Sequence, residues 1–316
     1  METYLLSVIV PAYNAEKKLA RCIDSLLKQE HIALQIIIVN DGSADNTRQI
    51  AEKYGNRYAR VYVLNQENLG TFRARLNGIR LAEAEYITFC DADDFIDQNF
   101  YSRAMKLMVN KQADVVEYGY RRIVAGERTK EKLPAEYRLN GKEAVKILLE
   151  TRIIESYNCN KIYKAEILHA IRIPDGIRMS VEEDRFLNIL AFDRADCVTS
   201  IPIVGYNYEQ DENSSSSVSV RDSGLRTVEA QRFIFNYICL HLPAYEKPAA
   251  YDFCARLALS YLYLLKNKRQ DETRNIIREF YNLCKQYHIN RYFPKNGSLK
   301  RILMIQVVYW LASVIK

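Results

Sequence analysis

The sequence lacks the signatures of several large protein classes. No GxGxxG follows the first apolar segment and no GxxxxGK[ST] occurs in the 316 residues, so dinucleotide-dependent enzymes and P-loop NTPases are poor candidates. The seven cysteines are odd in number, widely spread and without a CxxC pair, which argues against a disulfide framework or a zinc knuckle. The first residues contain no basic stretch followed by a cleavage site. We therefore expect a cytoplasmic protein with reduced thiols.

The composition is that of an ordinary globular protein, but its charge is unevenly distributed. With 48% hydrophobic and 27% charged residues, the chain can bury a large core. Residues 266–316 contain 11 Lys or Arg and 3 Asp or Glu, a net charge of +8, whereas residues 1–265 have a net charge of −2. Such a basic segment could bind nucleic acid or an anionic membrane, or only solvate helices.

The first 110 residues alternate between apolar strands and amphipathic helices. The pattern predicts strands over residues 6–11, 35–39, 61–64 and 86–90, and helices over residues 15–29, 46–54 and 70–84. Continuous apolar strands separated by helices indicate a parallel sheet covered on both faces, an α/β sandwich of Rossmann type. Ligands of such sheets bind beyond the carboxyl ends of the strands.

The regular alternation stops after residue 110. A long strand is predicted over residues 114–124, a helix over 141–151, a short strand or turn over 158–163 and a helix from about residue 183. From residue 225 the pattern is helical, after a polar link at 214–217. We therefore predict a domain of residues 1–217, with halves 1–110 and 111–217, and a helical region of residues 218–316.

Three carboxylates follow the fourth predicted strand within four residues: Asp91, Asp93 and Asp94. Acids packed at a strand end repel one another, which is tolerable mainly when a cation lies among them. An acidic surface turn is the alternative interpretation. Asp41 follows the second strand and should lie at the same edge of the sheet, although it could equally form a turn with Gly42.

Two further segments allow both a functional and a structural interpretation. Glu183 and Asp184 begin a predicted helix, where acids can simply stabilise the positive helix end. The apolar segment 302–315 would form a helix of about 21 Å, too short for a bilayer core of about 30 Å. A helix over residues 299–316 could lie in a membrane interface, with Tyr309 and Trp310 at the headgroups, or could pack on the protein's own core.

Four segments in this order resemble glycosyltransferase family 2. They are SVIVPAYN at residues 7–14, VNDGS with DNT at 39–47, NLG with AR and a later glycine at 68–78, and DADD at 91–94. The resemblance continues more loosely through NKIYK at 160–164 and EDRF at 183–186 to about residue 217. It implies a nucleotide-diphospho-sugar transferase of the glycosyltransferase A fold with a helical C-terminal extension.

The activity implied by the resemblance is inverting transfer of a sugar from a nucleotide diphosphate donor. The donor would be a UDP-sugar, supplying a hexosyl or N-acetylhexosaminyl group to a hydroxyl of a glycan or lipid-linked glycan. Such a reaction would serve cell-surface polysaccharide synthesis, with the enzyme peripheral on the inner face of the membrane. Nucleic acid is not expected as a partner, because aromatic residues do not interleave with the basic ones in the tail.

The resemblance also implies roles for individual residues. Asp93 would coordinate Mn²⁺ or Mg²⁺ on the diphosphate, and Asp184, or its neighbour Glu183, would be the general base. Asp41 would hold the nucleobase, and Asp94, Asn160 and Lys161 are candidates for contacts to donor or acceptor. The residues implied in nucleotide binding are Pro11, Ala12, Tyr13, Asn14, Asp41, Asn68, Arg75, Asp91 and Ala92.

The sequence departs from the family pattern in three places. The glycine common before the Glu-Asp pair is absent, and Glu182 becomes a third candidate for the base. Leu76 stands where the family usually has Asn. Glu209 follows the Tyr-x-Tyr stretch where an Arg or His often binds the diphosphate, so that cation is unassigned among Arg75, Lys161 and Arg221. A catalytically silent nucleotide-sugar-binding protein is therefore the alternative function.

Overall fold

The first apolar segment of the chain, Leu6–Ala12, forms a fully buried strand (β1) in this computed structural model. The structure describes residues 5–124, 126–174, 177, 179, 181–210, 215–266, 273–292, 294 and 298–315, with only the backbone for residues 130, 215–225 and 315. The chain divides into a unit of Met1–Lys142 with Ser156–Glu212 and a unit of Glu143–Glu155 with Asn213–Lys316. The predicted domains 1–217 and 218–316 differ from these units mainly in the segment 143–155, and they stay a prediction.

Three helices and three further strands follow β1 in strict alternation. They are α1 Leu19–Leu27, β2 Leu34–Asp41, α2 Thr47–Arg57, β3 Val61–Gln66, α3 Thr71–Leu81 and β4 Tyr86–Phe89. β1 pairs with β2 on one side and β4 on the other, β2 pairs with β3, and all these pairs are parallel. β1, β2 and β4 are buried along their whole length, as expected of strands covered on both faces. The predicted alternation is confirmed.

α1 begins four residues later than the predicted helix because the loop before it is engaged elsewhere. The backbone N–H of Ala15 donates to Thr47 Oγ1 at 2.7 Å, and that of Glu16 donates to Asp45 Oδ2 at 3.1 Å. These bonds attach the loop after β1 to the loop after β2. Because residues 15 and 16 are held in these bonds, the helix starts at Leu19. The bonds also fix the relative position of two loops at the carboxyl edge of the sheet.

The second part of this unit extends the sheet with strands of both directions. Its elements are β5 Phe95–Ile96, α4 Phe100–Asn110, β6 Val115–Val124, β7 Glu127–Lys132, β8 Arg138–Leu139, α5 Gly141–Glu150, β9 Lys161–Lys164, α6 Ala165–His169, α7 Glu183–Phe192 and β10 Val198–Gln210. The main path of the sheet is β3-β2-β1-β4-β9-β6-β10-β5. β9 is antiparallel to both β4 and β6, whereas β10 runs parallel to β6. The sheet is therefore mixed, with a parallel half that carries the sequence motifs.

β10 is the longest strand of this unit among the described residues, yet the sequence pattern does not predict it. Pro202 and Gly205 interrupt its apolar run, and both residues are typical of breaks in a strand. The pairing with β6 is irregular between Ser200 and Tyr206. A Cβ at Gly205 would lie 2.0 Å from the Phe100 ring, so close packing of α4 on the strand explains the glycine.

Four long helices form most of the second unit. They are α8 Ser215–His241, α9 Glu246–Lys266, α10 Thr273–Tyr287 and α11 Leu299–Ile315. The helical region expected from the sequence is confirmed, but the predicted polar link at 214–217 is wrong from Ser215 onward, since that residue begins α8; Ser214 lies outside the described residues. Within the described part of the chain, no helix has both the length and the apolarity needed to cross a bilayer.

Candidate active site

The loops that follow β1, β2 and β4 meet at one edge of the sheet. β1 lies between β2 and β4, so the loops that begin near Asp41 and Asp91 leave the sheet on either side of the end of β1. The first two loops are bonded to each other, since Asn14 N–H donates to Ser43 Oγ and Ala44 N–H donates to Asn14 Oδ1. The structure therefore brings together acids that lie fifty residues apart in the chain.

Asp41 is buried and accepts three hydrogen bonds from the end of β3 and the loop that follows it. Its Oδ1 accepts from Leu69 N–H at 2.7 Å and from the Gln66 amide at 2.8 Å, and its Oδ2 accepts from Gly70 N–H at 2.8 Å. A carboxylate has about four acceptor positions, so one remains for a further donor. The neighbouring Gly42 has φ +68°, and a Cβ there would lie 2.6 Å from the Asn68 backbone nitrogen, which explains the glycine.

The four residues of the DADD segment have different surroundings. Asp94 is completely buried, where it accepts from the Tyr206 hydroxyl and from Glu209 N–H, and burial raises its pKa well above the usual range. Asp91 is partly exposed and accepts from Arg75 at 2.9 Å. Ala92 is buried between them. Asp94 is thus part of the frame of this loop, while Asp91 and Asp93 lie toward its open side.

The Asp93 carboxylate forms no ion pair with a cationic side chain of the described residues. Its own backbone N–H and the charge of Lys18 favour the ionised form, and Arg21 donates only to the Asp93 backbone oxygen at 2.7 Å. Burial, together with repulsion from Asp91, raises the pKa of Asp93 to about 6. No group of three acidic, His or Cys side chains forms a ready metal site in the described chain. A divalent ion held by one or two carboxylates and by substrate phosphates still fits these surroundings.

Arg75 connects the acidic loop to the start of α7. Its guanidinium is buried and donates to Asp91 at 2.9 Å, to Asp184 at 2.5 Å and to Glu183 at 3.3 Å. Burial opposes its charge, but the three carboxylates outweigh burial and raise the pKa of Arg75 further. Three acids from two distant segments therefore share one cation, which leaves excess negative charge at this edge.

Glu183 and Asp184 form the first turn of α7, as the sequence predicts. Asp184 accepts from Arg75 and from both the backbone and side-chain amides of Asn158, at 3.2 and 3.1 Å. Burial raises the pKa of Asp184 although Arg75 opposes it, and burial with repulsion from Asp184 raises the pKa of Glu183 to about 7. The adjacent Glu182 has φ +60° and precedes the helix, so its carboxylate is not part of the helical turn.

The remaining candidate residues lie in three kinds of surroundings. Pro11 and Ala12 are buried at the end of β1, while the Tyr13 side chain is 52% exposed. Asn160 and Lys161 are buried behind the site, where both approach Glu117, at 3.2 Å and 3.9 Å respectively. The side chain of Arg221 lies outside the described residues. The roles of all these residues remain predictions.

Several residues at this edge are not indicated by the sequence motifs. Asn158 holds Asp184, and the Tyr206 hydroxyl lies between Asp94 and the backbone N–H of Asp91, to which it is 3.2 Å away. Lys18 and Arg21 near the start of α1 pair with Glu209, at the position where the family pattern suggested a cation. The acid at 209, in place of the cation of the family pattern, was the available signal, but its partners Lys18 and Arg21 are nearly 190 residues away.

Comparison with known proteins identifies relatives of this chain. The family described as "Glycosyl transferase family 2" matches residues 7–172, more than half of the chain. An uncharacterized glycosyltransferase of Bacillus subtilis, EpsJ, is 33% identical over 221 residues, which are 68% of this chain and 63% of EpsJ. A poly(ribitol-phosphate) β-N-acetylglucosaminyltransferase of Staphylococcus aureus, TarS, is 29% identical over 68% of this chain and 38% of its own. The chain spans less than two thirds of the length of these relatives.

Solved structures of TarS have the same fold as this chain. TarS 1-349 in complex with UDP-GlcNAc superimposes with a TM-score of 0.70 at 20% identity, covering 98% of this chain and 89% of that one. The complex with UDP gives a TM-score of 0.67 at 21% identity, covering 98% and 88%. The expected Rossmann-like sandwich with a helical C-terminal region is thereby confirmed.

Proposed function

Since this chain belongs to glycosyl transferase family 2, we propose that it transfers a sugar from a nucleotide diphosphate donor to a hydroxyl group, with inversion at the anomeric carbon. One observation carries the proposal: Asp93, a carboxylate that forms no ion pair among the described residues, lies at the same sheet edge as Glu183 and Asp184, two acids that share the buried Arg75. Departure of a diphosphate needs neutralisation of charge, and attack by a hydroxyl needs a base. A cation held by Asp93 would meet the first need, and the acid pair would meet the second.

A UDP-sugar is the proposed donor. TarS has been solved with UDP and with UDP-GlcNAc, and it has the same fold as this chain. Asp41 has one acceptor position left for an N–H group of a nucleobase, and its three protein bonds hold it in place. The segment from Pro11 to Asn14, fixed to the next loop, would flank the base and ribose. Asn68, Arg75, Asp91 and Ala92 complete the proposed nucleotide site.

Asp93 is the proposed ligand of Mn²⁺ or Mg²⁺. Burial and repulsion from Asp91 raise the pKa of Asp93 more than Lys18 and its own backbone N–H lower it, and a bound cation would favour the ionised form. A bound divalent ion would neutralise the diphosphate as it leaves. Arg75 cannot serve alone, because its charge is already shared among three carboxylates.

Asp184 is the proposed general base. It would take the proton of the acceptor hydroxyl while that oxygen bonds to the anomeric carbon; the bond from this carbon to the phosphate oxygen breaks, and the nucleoside diphosphate leaves with the electron pair. Asn158 fixes the orientation of Asp184, and burial raises its basicity. Glu183, with a pKa of about 7, is the alternative base.

A silent nucleotide-sugar-binding protein is the second candidate function. The observation that favours it is the 2.5 Å bond from Arg75 to Asp184, because a guanidinium this close stabilises the carboxylate and weakens it as a base. Burial acts in the opposite direction and dominates the direction of the pKa shift. We therefore favour the enzyme.

The experiment that tests the proposal measures donor binding and donor cleavage separately. Calorimetry with UDP-GlcNAc, UDP-glucose and UDP-galactose, each with Mn²⁺ or with EDTA, should show at least one donor whose affinity rises about tenfold with the ion. The Asp93→Asn variant should lose this increase while keeping the affinity seen in EDTA. Release of UDP, followed by chromatography, separates an enzyme from a silent binder. Absence of binding by any UDP-sugar would refute both functions.

We also propose that the second unit attaches the protein to an anionic membrane surface, where a lipid-linked glycan would be the acceptor in polysaccharide synthesis. Side chains 50–69% exposed follow one face of α11, and we name them the apolar stripe: Leu299, Leu303, Val307, Trp310 and Val314. The opposite face of the helix, with Ile305 and Val308, is buried in the unit. α11 contains no Asp or Glu, and residues 266–316 have a net charge of +8. Such a helix suits anionic lipid headgroups.

Vesicle flotation tests this attachment. The protein should float with vesicles containing a third phosphatidylglycerol and less with pure phosphatidylcholine, and a variant with Leu303→Glu and Trp310→Glu should remain at the bottom. Val109→Glu is the matched control, because Val109 is an equally exposed apolar residue of the first unit. Equal flotation of both variants would refute the role of the stripe. If the wild type does not float but forms dimers in sedimentation, a second copy covers the stripe instead.

A further inference from the structure

Three tyrosines form a surface beside the candidate active site that no assigned role explains. This tyrosine patch consists of Tyr120 on β6, Tyr157 in the loop before β9 and Tyr208 on β10. The ring of Tyr157 is perpendicular to that of Tyr120, with 5.9 Å between centroids, and stacks with that of Tyr208 at 6.5 Å. Tyr120 is buried and Tyr208 is half-buried, but Tyr157 is 39% exposed. Two rings therefore support a third that faces solvent.

The tyrosine patch is joined to the acids of the site through the backbone. Tyr157 directly precedes Asn158, whose backbone and side chain bind Asp184. Tyr208 stands two residues after Tyr206 on the same face of β10, and the Tyr206 hydroxyl binds Asp94. The patch thus continues from the proposed base on one side and from the acidic loop on the other.

Two exposed cations lie next to the rings. Arg122 is opposite Tyr208 in the pairing of β6 with β10 and two residues beyond Tyr120, so it belongs to the same face of the sheet. Contact with Tyr120 raises the pKa of Arg122, and the guanidinium is charged at every working pH. No carboxylate forms an ion pair with Arg122 among the described residues. Lys132 Nζ lies 5.7 Å from the centroid of the Tyr120 ring.

We infer that the tyrosine patch, with Arg122 and Lys132, is the acceptor subsite and binds a pyranose ring that carries or adjoins an anionic group, a phosphate or a carboxylate. The inference rests on the proposed function, because it takes Asp184 as the base that the acceptor hydroxyl must reach. A pyranose has an apolar C–H face that packs on an aromatic ring, and a ring held by its neighbours loses little side-chain freedom on binding. The guanidinium fork suits a phosphate or carboxylate.

The test measures glycoside binding by the full chain with the nucleotide site already filled. Saturation-transfer-difference NMR titrations, in saturating UDP and Mg²⁺, would use methyl β-glucopyranoside, methyl β-glucuronide and glucose 6-phosphate as probes. Both anionic probes should bind about tenfold more tightly than the neutral one. Arg122→Gln should reduce them to the level of the neutral probe, and the stronger of the two identifies the anion.

Matched variants separate the patch from general effects. Tyr157→Ala should lose binding of all three probes, whereas Tyr157→Phe, which keeps the ring, should retain it within about twofold. Tyr62→Ala is the control, because Tyr62 is 38% exposed on β3 at the opposite edge of the sheet. UDP affinity should be unchanged in every variant. Thermal unfolding confirms that each variant is folded.

Two results would overturn the inference, and a third would refute its premise. Equal probe binding by Tyr157→Ala and wild type would show that the patch is only a packing feature. A wild type that binds UDP but none of the probes would also overturn the subsite while leaving the proposed function intact. A wild type that binds neither UDP nor any UDP-sugar would refute the proposed function, and the subsite with it.

Discussion

The two sides of the candidate active site differ in how the protein stabilises their carboxylates. On the side of β2, Asp41 is buried and receives three hydrogen bonds from the protein, two of them from backbone N–H groups. On the side of β4 and α7, Asp93 forms no ion pair among the described residues, and Glu183 and Asp184 share Arg75 with Asp91. On the β2 side, hydrogen bonds from the protein stabilise the carboxylate. On the side of β4 and α7, three carboxylates share one cation and negative charge is in excess.

This difference indicates which part of the site is preformed. Hydrogen bonds between the loops after β1 and β2 fix the proposed nucleotide side before any ligand binds, which reduces the entropy lost on binding. On the proposed metal and base side, burial and repulsion between carboxylates raise the pKa values of Asp93 and Glu183. A cation and a diphosphate would relieve that repulsion. Substitutions on the two sides should therefore have different signatures.

The largest effect is expected from the proposed base. Asp184→Asn keeps the shape of the side chain and an acceptor for Arg75 but cannot take a proton, so kcat should fall by about 10³-fold. Calorimetric affinity for the UDP-sugar should change by less than about threefold, since Asp184 is assigned to the acceptor. Glu183→Gln is the matched control and should lower kcat by about tenfold or less. If the two variants exchange these values, Glu183 is the base.

The next effect concerns stability rather than rate. Arg75→Gln leaves Asp91, Glu183 and Asp184 without their shared cation, and it should lower the free energy of unfolding by about 3–5 kcal/mol at pH 7.5. The loss should shrink at pH 5.5, because Glu183, with a pKa of about 7, becomes protonated. Urea unfolding at both pH values measures it.

Arg73 provides the control for Arg75 on the same helix. Its buried guanidinium donates to the backbone oxygens of Pro174 and Ile177, which do not titrate. Arg73→Gln should lower stability by about 1–3 kcal/mol, equally at both pH values. A pH-independent loss in Arg75→Gln would contradict the view that shared negative charge is the main feature of this side.

On the preformed side, Asp41→Asn should weaken donor binding without affecting chemistry. The amide has one oxygen for three donors and places its own N–H₂ against them, so unfolding free energy should fall by about 1–3 kcal/mol. The dissociation constant for UDP should rise about tenfold, with kcat at saturation unchanged. Asp45→Asn, which replaces one of the two oxygens that accept from Glu16 N–H and Thr47 N–H, is the control. A change in kcat alone would place Asp41 outside nucleotide binding.

The preformed side was predictable because its signals are local. The strand that ends at Asp41 contains a continuous apolar run from Ile36 to Val39, and parallel strands bring their carboxyl ends to one edge by topology alone. Gly42 marks a turn whose conformation favours glycine. The presence of these strands and helices was predictable from hydrophobic periodicity. The late start of α1 was not, because it depends on side chains of another loop.

The other side could not be read from periodicity because its contacts join distant segments. Arg75 and Asp184 are separated by 109 residues, and Tyr206 and Asp94 by 112. β10, which carries Tyr206, is interrupted by Pro202 and Gly205 and gives no strand pattern. Only the family resemblance gave Arg75 and Asp184 their implied roles. Their ion pair, and the pairing of Glu209 with Lys18, emerge only in the folded chain.

The smallest expected effect is a pH dependence of folding stability, which follows from the raised pKa values of two carboxyl groups. Asp93 and Glu183 have folded pKa values of about 6 and about 7, raised by burial from 3.8 and 4.5. Between pH 4 and 7 the folded state therefore binds more protons than the unfolded state, and stability should fall as the pH rises through this window, by at least about 1 kcal/mol. Asp93→Asn should remove the part between pH 4 and 6. Mg²⁺ with UDP should reverse the loss near pH 7, because the cation favours ionised Asp93. Urea unfolding across this pH range, with and without these ligands, measures the change in stability. Stability that rises with pH in the ligand-free protein would contradict the assignment of excess negative charge to this side.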